Sequence, residues 1–289
     1  MTLSLRFWGV RGSIATPGAD TARVGGNTSC VELRAGATRI ALDAGTGLRG
    51  YGNALAREGI GDVTLLLSHL HWDHIQGIPF FAPLYQPGAR VHVVSGTASG
   101  SAEAALRAQM QTPAFPVDLS EVPAHLSFMG ARERQRVVVG EAEVYAVRGN
   151  HPDPVYAWRI EHGGRSVVYA TDTEHYRCVD PRLLSLARGA DVLIYDAQYL
   201  PEEYAGAIGP SRVGWGHSTW EAAVELAMAA DVGELLLFHH DPCRDDEAVL
   251  AVESLARSRF ANTTAAAEGL QRTLPHRARE RAACSGPRC

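Results

Sequence analysis

Short apolar runs recur along the chain at the length and spacing of β-strands. They are rich in Val, Ile, Leu and Tyr, and most are bounded by Gly, Asp or Asn, which favour turns. The predicted strands are Leu5–Gly9, Cys30–Arg34, Arg39–Asp43, Val63–Ser68, Val91–Ser95, Val144–Arg148, Ser166–Thr171, Val192–Tyr195 and Glu234–Phe238.

Segments with helix signals lie between or after several of these runs. Asp180 followed by Pro181 is typical of a capped helix start, and Ser218 with Glu221 forms the Ser-x-x-Glu pattern of a capping box. The predicted helices are Leu48–Glu58, Ala102–Gln111, Pro181–Arg188, Thr219–Ala230 and Glu247–Arg259. Early strands follow one another and later ones alternate with helices. This order predicts one α/β domain over residues 1–273, with packed sheets covered by helices.

Two segments break this pattern. Gln111–Gly130 contains three prolines and is predicted to be a loop or a lid over a site. Residues 274–289 have no apolar period and are predicted to form a disordered tail.

The composition is ordinary for a soluble protein, with 46% hydrophobic and 20% charged residues. No apolar run is long enough to span a membrane, and no secretory signal is recognised, so we expect a cytoplasmic protein. Five cysteines without a Cys-x-x-Cys pair argue against a disulfide framework. The net charge of −5 argues against a broad nucleic-acid surface, although it is compatible with a small local anion site.

The strongest chemical signal is a cluster of His69, His71, Asp73 and His74 directly after the apolar run Val63–Leu67. Imidazole and carboxylate are natural ligands of Zn²⁺ and related divalent ions. His69 and His71 are two positions apart in an extended segment, so their side chains share one face. Asp73 and His74 follow as the chain turns, and we expect them to point to a second position nearby. The cluster predicts a metal site.

This His-x-His-x-Asp-His motif after a strand resembles the signature of the metallo-β-lactamase superfamily. The resemblance implies a four-layer αββα sandwich and a site for two metal ions. It assigns three histidines to one ion, an aspartate and two histidines to the other, and one bridging carboxylate: His69, His71 and His151; Asp73, His74 and His239; and Asp172.

Three further residues near these ligands need an interpretation. His240 competes with His239, but the comparable segment of ribonuclease Z-like relatives has one histidine, which aligns with His239. Asp43 is expected to orient the histidine loop through hydrogen bonds rather than to bind metal. His175 is expected to lie outside the ligand set.

Two divalent ions can lower the pKa of a bridging water, polarise a substrate oxygen and neutralise developing charge, which suits hydrolysis. Zinc is the expected metal because imidazole dominates the set, and Mn²⁺ and Fe²⁺ are compatible with it. The seven ligands alone do not choose between a phosphodiester, a thioester, a lactone and a lactam.

Two further resemblances favour the phosphodiester. Gly-His-Ser-Thr at 216–219 resembles an element of ribonuclease Z-like phosphodiesterases in which the histidine sits by the scissile phosphate. This resemblance implies that His217 donates a proton. The predicted catalytic residues are His217 and the candidate ligand Asp73. The helix N-terminus that follows is expected to lower the pKa of the free His217 imidazole.

The second resemblance lies near the N-terminus. Phe7–Ser13 and Gly25–Cys30 resemble segments of cyclic-phosphodiesterase-like members, and their glycine turns are expected to approach a phosphate. One departure concerns the stretch after His151, which is Gly-rich in such relatives. Here Asp153 and Pro154 are expected to narrow the rim of the site.

The leading prediction is therefore a hydrolase of small or cyclic phosphodiesters that works through a metal-bridging hydroxide. An acyl hydrolase acting on a lactone, thioester or lactam stays open. So do a tRNA 3′-processing endonuclease, which the acidic charge disfavours, and a non-enzymatic metal-bound sensor. The sequence does not decide the natural substrate, the metal in the cell, or whether the chain forms a homodimer.

Overall fold

The computed structural model describes residues 2–96 and 99–277. Within them the chain forms two seven-stranded sheets with a hydrophobic core between them and helices on both outer faces. This is the four-layer αββα sandwich that the resemblance implied, and the predicted fold class is confirmed.

Each sheet is antiparallel in one half and parallel in the other. The first sheet contains, in spatial order, β14 (Gln271–Pro275), β1 (Thr2–Gly9), β2 (Cys30–Ala35), β3 (Thr38–Leu42), β4 (Asp62–Leu67), β5 (Arg90–Ser95) and β6 (His125–Gly130). The second contains β13 (Thr263–Ala265), β12 (Glu234–Phe238), β11 (Val192–Asp196), β10 (Arg165–Ala170), β9 (Tyr156–His162), β8 (Ala142–Arg148) and β7 (Val137–Val139). The pairs from β3 to β6 and from β13 to β10 are parallel.

Helices cover both sheets. They are α1 (Gly47–Glu58), α2 (Trp72–Ile75), α3 (Ser99–Gln109), α4 (Pro181–Ala187), α5 (Pro201–Ala205), α6 (Trp220–Ala229) and α7 (Asp246–Arg259). Helices α1 and α3 pack on the first sheet, and α4, α6 and α7 pack on the second. In the described part of the chain, none of the helices has the length and apolar character needed to cross a membrane.

The core between the sheets is built by alternating side chains. Leu3, Leu5 and Phe7 on β1 are buried, while the residues between them are partly exposed. The Phe238 ring lies 5.8 Å from the Phe7 ring and 5.6 Å from the Tyr169 ring, which joins the two sheets. Burying such a side chain contributes about 1.5–3 kcal/mol. This packing fixes the ends of β10 and β12, where polar residues begin.

One predicted helix cap is wrong by one residue. Thr219, not Ser218, precedes the first turn of α6, and its hydroxyl accepts a hydrogen bond from the Ala222 amide. The Ser218 hydroxyl instead points to the Thr173 carbonyl, to which it donates a hydrogen bond. The predicted cap at Asp180 is confirmed, since its carboxylate accepts from the Arg182 amide.

The two irregular segments are more ordered than their composition indicated. The predicted loop Gln111–Gly130 ends in the edge strand β6, which pairs with β5. Leu274 and Pro275, counted in the predicted tail, belong to β14 and pair with Leu3 and Thr2. Leu274 packs against the central core, which explains why the strand extends this far. Residues 278–289 of the predicted tail lie outside the described residues.

Candidate metal centre

The His-x-His-x-Asp-His motif begins two residues after β4 and turns into the short helix α2. His69 is buried in the extended part, and Asp73 and His74 are buried in the helix. Trp72, between them, is 69% exposed, so the helical turn separates the polar cluster from a solvent-facing aromatic ring.

The other three predicted ligands follow strands of the second sheet. His151 comes after β8, Asp172 after β10 and His239 directly after β12. The candidate ligand atoms of His69, His71 and His151 lie within 4.8 Å of one another, and so do those of Asp73, His74 and His239. A further group of this kind joins His69, His74 and Asp172. Both sheets therefore contribute to one cluster, and all seven predicted ligands lie in it.

Three residues around the cluster have left-handed backbone conformations. Asp43, Asp172 and His239 have φ angles of 59°, 51° and 59°. Asp, Asn and His adopt this region more readily than most residues, at a cost that the surrounding structure must offset. The left-handed turn ends each strand abruptly, so the polar side chain enters the cluster instead of continuing the strand alternation.

Several ring nitrogens in the cluster face one another at the spacing of shared ligands. His71 Nδ1 lies 3.1 Å from His151 Nε2, and His74 Nε2 lies 3.3 Å from His239 Nε2. Two ligands that bind one tetrahedral zinc ion at about 2.0–2.1 Å lie about 3.3 Å apart. Asp172 is placed between the two groups, with Oδ1 3.2 Å from His239 Nε2 and Oδ2 3.7 Å from His69 Nε2.

The outward nitrogen of each of the five imidazoles meets a hydrogen-bond acceptor. The partners of His69, His71, His74, His151 and His239 are, in that order, Ser68 Oγ at 3.0 Å, Asp153 Oδ2 at 2.8 Å, Asp43 Oδ2 at 2.7 Å, Gly216 O at 2.9 Å and Gln198 Oε1 at 2.8 Å. Carboxylate, carbonyl and amide oxygens only accept, and the Ser68 hydroxyl already donates to Asp43. A neutral ring therefore carries its proton outward and presents a lone pair inward.

The surroundings of the inward nitrogens suit binding to a cation better than hydrogen bonding between the rings. His69 Nε2 is buried and has no hydrogen-bond partner among residues 2–96 and 99–277. Burial lowers the pKa of His69 and keeps its ring neutral. Burial alone would raise the pKa of Asp73, but His74 and His239 outweigh it and hold the pKa below its ordinary value. Imidazoles beside ionised carboxylates form a donor set suited to divalent ions.

Asp43 is the hub that fixes this set. Its carboxylate accepts hydrogen bonds from the Ser68 amide and hydroxyl, from His74 Nδ1 and from the Tyr169 hydroxyl, at 2.7 Å each. It lies at the end of β3 and is fully buried. It therefore orients His74 and the start of the histidine loop, in the manner expected for this residue.

The two other histidines lie apart from the cluster. His240 is buried, and its Nε2 donates to the Ala266 carbonyl at 2.9 Å. Burial lowers the pKa of His240 to about 3, so this ring is neutral. His175 packs against the Tyr204 ring at 4.4 Å. The structure thus brings His239, and not its neighbour, to the candidate ligands.

His217 lies between the two candidate metal positions. Its ring centroid is 5.3 Å from that of His151 and 5.0 Å from that of His239. Its Nδ1 lies 2.8 Å from Asp196 Oδ2. Burial lowers the pKa of His217, but the Asp196 charge and hydrogen bond outweigh this and raise it to about 9. The expected lowering of this pKa by the helix N-terminus was wrong, because a buried carboxylate in direct contact dominates.

Asp196, Glu174 and Gln198 were not recognised in the sequence, although each supports the cluster. Asp196 ends β11 and accepts from the amides of Asp172, Gln198 and Ser218 as well as from His217. Its position at the end of an apolar run is the signal that identified Asp172. Glu174 accepts from the amides at 214 and 216 and so holds the loop before His217.

Gly216 is required in that loop for two reasons. Its φ is +87°, and a Cβ there would lie 2.0 Å from His151 Nδ1. Its carbonyl can therefore approach the His151 ring and orient it.

The N-terminal glycine turns pack against the candidate metal centre. A Cβ on Gly12 would lie 2.4 Å from His239 Nδ1, and the Ser13 amide donates to Asp73 Oδ2 at 2.8 Å. Arg11 is fully buried and donates to the carbonyls of Gly25 and Arg244, each at 2.7 Å. Arg11 therefore has a packing role, and the approach of these turns to a phosphate stays a prediction.

A mostly apolar groove of about 700 Å³ lies beside α2. Trp72, Phe80 and Phe115 line it, together with Arg49 and Gln76. Phe80 and Phe115 meet edge to face at 5.6 Å, and Phe80 is 59% exposed. Phe115 is the part of the predicted lid segment that reaches this side of the molecule.

Such a sandwich, with imidazoles and carboxylates gathered from strand ends of both sheets, defines a metallo-hydrolase of the metallo-β-lactamase fold. The sequence profile of the beta-lactamase superfamily domain matches residues 38–240. The chain belongs to this superfamily.

Similar proteins agree with this assignment. A ribonuclease Z of Mycolicibacterium gilvum (strain PYR-GCK) is 29% identical over 287 residues, which cover 90% of this chain and 93% of the relative. The metallo-β-lactamase fold protein YhfI of Bacillus subtilis superimposes with a TM-score of 0.71 at 20% identity, over 94% of this chain and 99% of its own. A diphosphatase from the PhnP family gives a TM-score of 0.67 at 20% identity, over 93% and 97% of the two chains.

Proposed function

We propose that the chain is a phosphodiesterase that uses two divalent metal ions. Two groups of side chains would hold the ions, and one carboxylate lies between the groups: His69, His71 and His151; Asp73, His74 and His239; and Asp172. The observation that carries the proposal is that the outward nitrogen of each of the five imidazoles meets a hydrogen-bond acceptor, which turns the other nitrogen of each ring toward the cluster. Zinc suits such an imidazole-rich set best.

Divalent ions bound there would supply Lewis acidity and would lower the pKa of water for hydrolysis. His217 supplies the proton that the departing oxygen needs. Asp196 accepts a hydrogen bond from its Nδ1 and raises the pKa of the ring, which favours the protonated form that a proton donor needs. A positioned acid of this kind contributes about 10²–10⁴-fold to the rate.

Phosphodiesters are favoured over acyl substrates by two considerations. The likeness to a ribonuclease Z extends over nine-tenths of the chain, and a ribonuclease cleaves phosphodiesters. A protonated donor beside the centre suits the expulsion of an alkoxide, which is a poor leaving group without a proton.

A compact substrate is favoured over a folded RNA. The groove of about 700 Å³ beside Trp72 accommodates one organic arm of an ester. The net charge of −5 gives little attraction to a long polyanion. The proposed substrate is therefore a small or cyclic phosphodiester.

The test is a substrate panel with metal-replete protein. Bis(p-nitrophenyl) phosphate and a nucleoside 2′,3′-cyclic phosphate represent compact phosphodiesters, a precursor tRNA represents the nuclease, and a thioester and a lactone represent acyl hydrolysis. We expect turnover of the first two, loss of that turnover on chelation, and no turnover by an Asp172→Ala control. Turnover of acyl substrates alone would overturn the proposal. Turnover of precursor tRNA far above the compact esters would overturn the substrate class.

A further inference from the structure

Arg212 lies at the rim of the candidate centre and has no carboxylate partner among the described residues. Its guanidinium lies over the rings of Tyr199 and Trp215, at 5.2 Å and 4.8 Å from their centroids. Its Nε is buried and donates no hydrogen bond within the described residues. The nearby Glu203 is engaged by Arg244 at 2.6 Å, and Arg212 itself forms no ion pair in the part of the chain that the structure describes.

Short contacts connect this arginine to the centre. The Tyr199 ring meets the His217 ring edge to face at 5.7 Å. The Gln198 amide, which orients His239 through Oε1, also lies 3.4 Å from the Tyr199 hydroxyl through Nε2. One aromatic ring therefore separates the guanidinium from His217.

The loop that carries Arg212 is fixed in place. The Arg212 amide donates to the Tyr204 carbonyl, and the Trp215 amide donates to the Arg212 carbonyl, both at 3.1 Å. Glu174 accepts from the Gly214 amide at 2.8 Å. The guanidinium is thus held by its backbone as well as by the two rings.

The Arg212 side chain is half-buried, and no carboxylate of the described residues neutralises its charge. Aromatic faces stabilise a guanidinium without neutralising it, so its N–H groups stay available to an anion. A guanidinium matches phosphoryl oxygens with paired, charge-assisted hydrogen bonds. The N-terminal arginine that might have served, Arg11, is committed to backbone carbonyls.

We propose that Arg212 binds the phosphoryl oxygens of the substrate and makes the site selective for anionic over neutral substrates. This inference rests on the proposed phosphodiesterase activity, and it adds a specificity-determining residue to it. Tyr199 and Trp215 position the guanidinium, and His217 remains the proton donor.

The experiment measures phosphate binding and turnover in parallel on metal-loaded protein. Arg212→Gln is compared with Arg212→Lys and with Arg57→Gln, a matched control at an exposed arginine of α1 that has no ion pair in the described chain. Calorimetric titration gives the affinity for inorganic phosphate. Rates are taken on bis(p-nitrophenyl) phosphate and on neutral p-nitrophenyl acetate.

We expect Arg212→Gln to weaken phosphate binding and to lower kcat/KM for the phosphodiester by about tenfold to a hundredfold, the range for a lost hydrogen bond to a charged group. Arg212→Lys should recover part of both, and Arg57→Gln should match the wild type. Any hydrolysis of p-nitrophenyl acetate should proceed at the same rate in Arg212→Gln as in wild type. Equal phosphate affinity in Arg212→Gln and wild type would overturn the inference, as would an equal loss on the neutral ester.

The two proposals fail in distinguishable ways. Suppose that wild type turns over no phosphodiester, and that Arg212→Gln loses phosphate binding while wild type and Arg57→Gln keep it. The proposed phosphodiesterase activity is then wrong, and the proposed anion site stands. If phosphodiesters are turned over and Arg212→Gln binds phosphate like wild type, the activity stands and the role of Arg212 is wrong. Circular dichroism and metal content of each variant establish that the fold and the metal ions are retained.

Discussion

The His217 imidazole donates a hydrogen bond from Nδ1 to the Asp196 carboxylate across 2.8 Å, with both side chains buried. Asp196 also accepts from the Asp172 amide, so one carboxylate positions both the proposed proton donor and a candidate metal ligand. The proposed proton donor and this candidate ligand are thereby kept in a fixed relation.

Replacing His217 separates catalysis from metal binding. We expect His217→Ala to retain both metal ions and to lower kcat by about 10²–10⁴-fold, the usual contribution of a general acid. Metal analysis and steady-state kinetics on a nucleoside 2′,3′-cyclic phosphate, whose leaving group is an alkoxide, measure the two effects. His175→Ala is the control, because its ring packs on Tyr204 outside the cluster. An undiminished kcat in His217→Ala would refute the assigned role.

The adjacent histidines at the end of β12 provide a matched pair. We expect His239→Gln to lose one of the two metal ions, because His239 Nε2 lies 3.2–3.3 Å from Asp172 and Asp73 oxygens. His240→Gln should retain both ions, since His240 Nε2 is engaged by the Ala266 carbonyl. Metal-to-protein ratios after dialysis decide the matter, and the opposite pattern would reverse the assignment of the two residues.

Asp43 can be tested without disturbing its backbone. Asn tolerates the left-handed conformation at this position. However, its amide group offers only one accepting oxygen where the carboxylate serves four donors. We expect Asp43→Asn to weaken metal binding by about 10–100-fold, the range for partners that orient a ligand.

Competition with a chelating indicator measures this affinity. Tyr169→Phe removes one of the same hydrogen bonds and should have a smaller effect. Equal affinities for Asp43→Asn and wild type would remove Asp43 from its orienting role.

Asp180 links stability to pH. Burial alone would raise its pKa, but the hydrogen bonds and charge of Arg182 and a hydrogen bond from Asn150 outweigh it and hold the pKa below its ordinary value. The stabilisation is therefore complete above the unfolded-state pKa of about 3.9 and disappears as pH falls through the lower folded-state value.

Asp180→Ala should accordingly cost about 1 kcal/mol at pH 7, as for a lost N-cap. Its deficit relative to wild type should shrink as the pH falls below the unfolded-state value. Urea unfolding at pH 7 and below the unfolded-state pKa of about 3.9 measures the difference in free energy of unfolding at both pH values. Asp245→Ala, which removes the cap of α7, provides a second N-cap for comparison at pH 7. A deficit that did not change with pH would show that the carboxylate charge is not responsible.

The strands that were predicted and those that were missed differ in burial. The apolar runs identified β4, β11 and β12, whose side chains are buried almost throughout. The edge strands β6 and β14 have mostly exposed side chains, and β9 carries Arg159 and Glu161 in its second half. Their backbone pairing is set by neighbouring strands, so composition carried little sign of it.

The residues of the candidate site that could be predicted are those that lie close together in the sequence. Four of the seven predicted ligands lie within six residues and form a motif. Asp196 and Glu174 act through backbone amides that lie 22 and 40 residues away along the chain. Such contacts exist only once the loops have folded against each other, and a single carboxylate in a sequence gives no sign of them.

The left-handed turns at Asp43, Asp172 and His239 constrain how this chain can change over evolutionary time. A descendant that abandoned catalysis but kept its architecture could exchange either aspartate for Asn at little conformational cost, whereas Ala or Val would strain the chain. Position 239 has no comparable substitute that also keeps an imidazole. In relatives that have lost hydrolysis, we therefore expect Asn or Gly at positions 43 and 172 more often than bulkier residues.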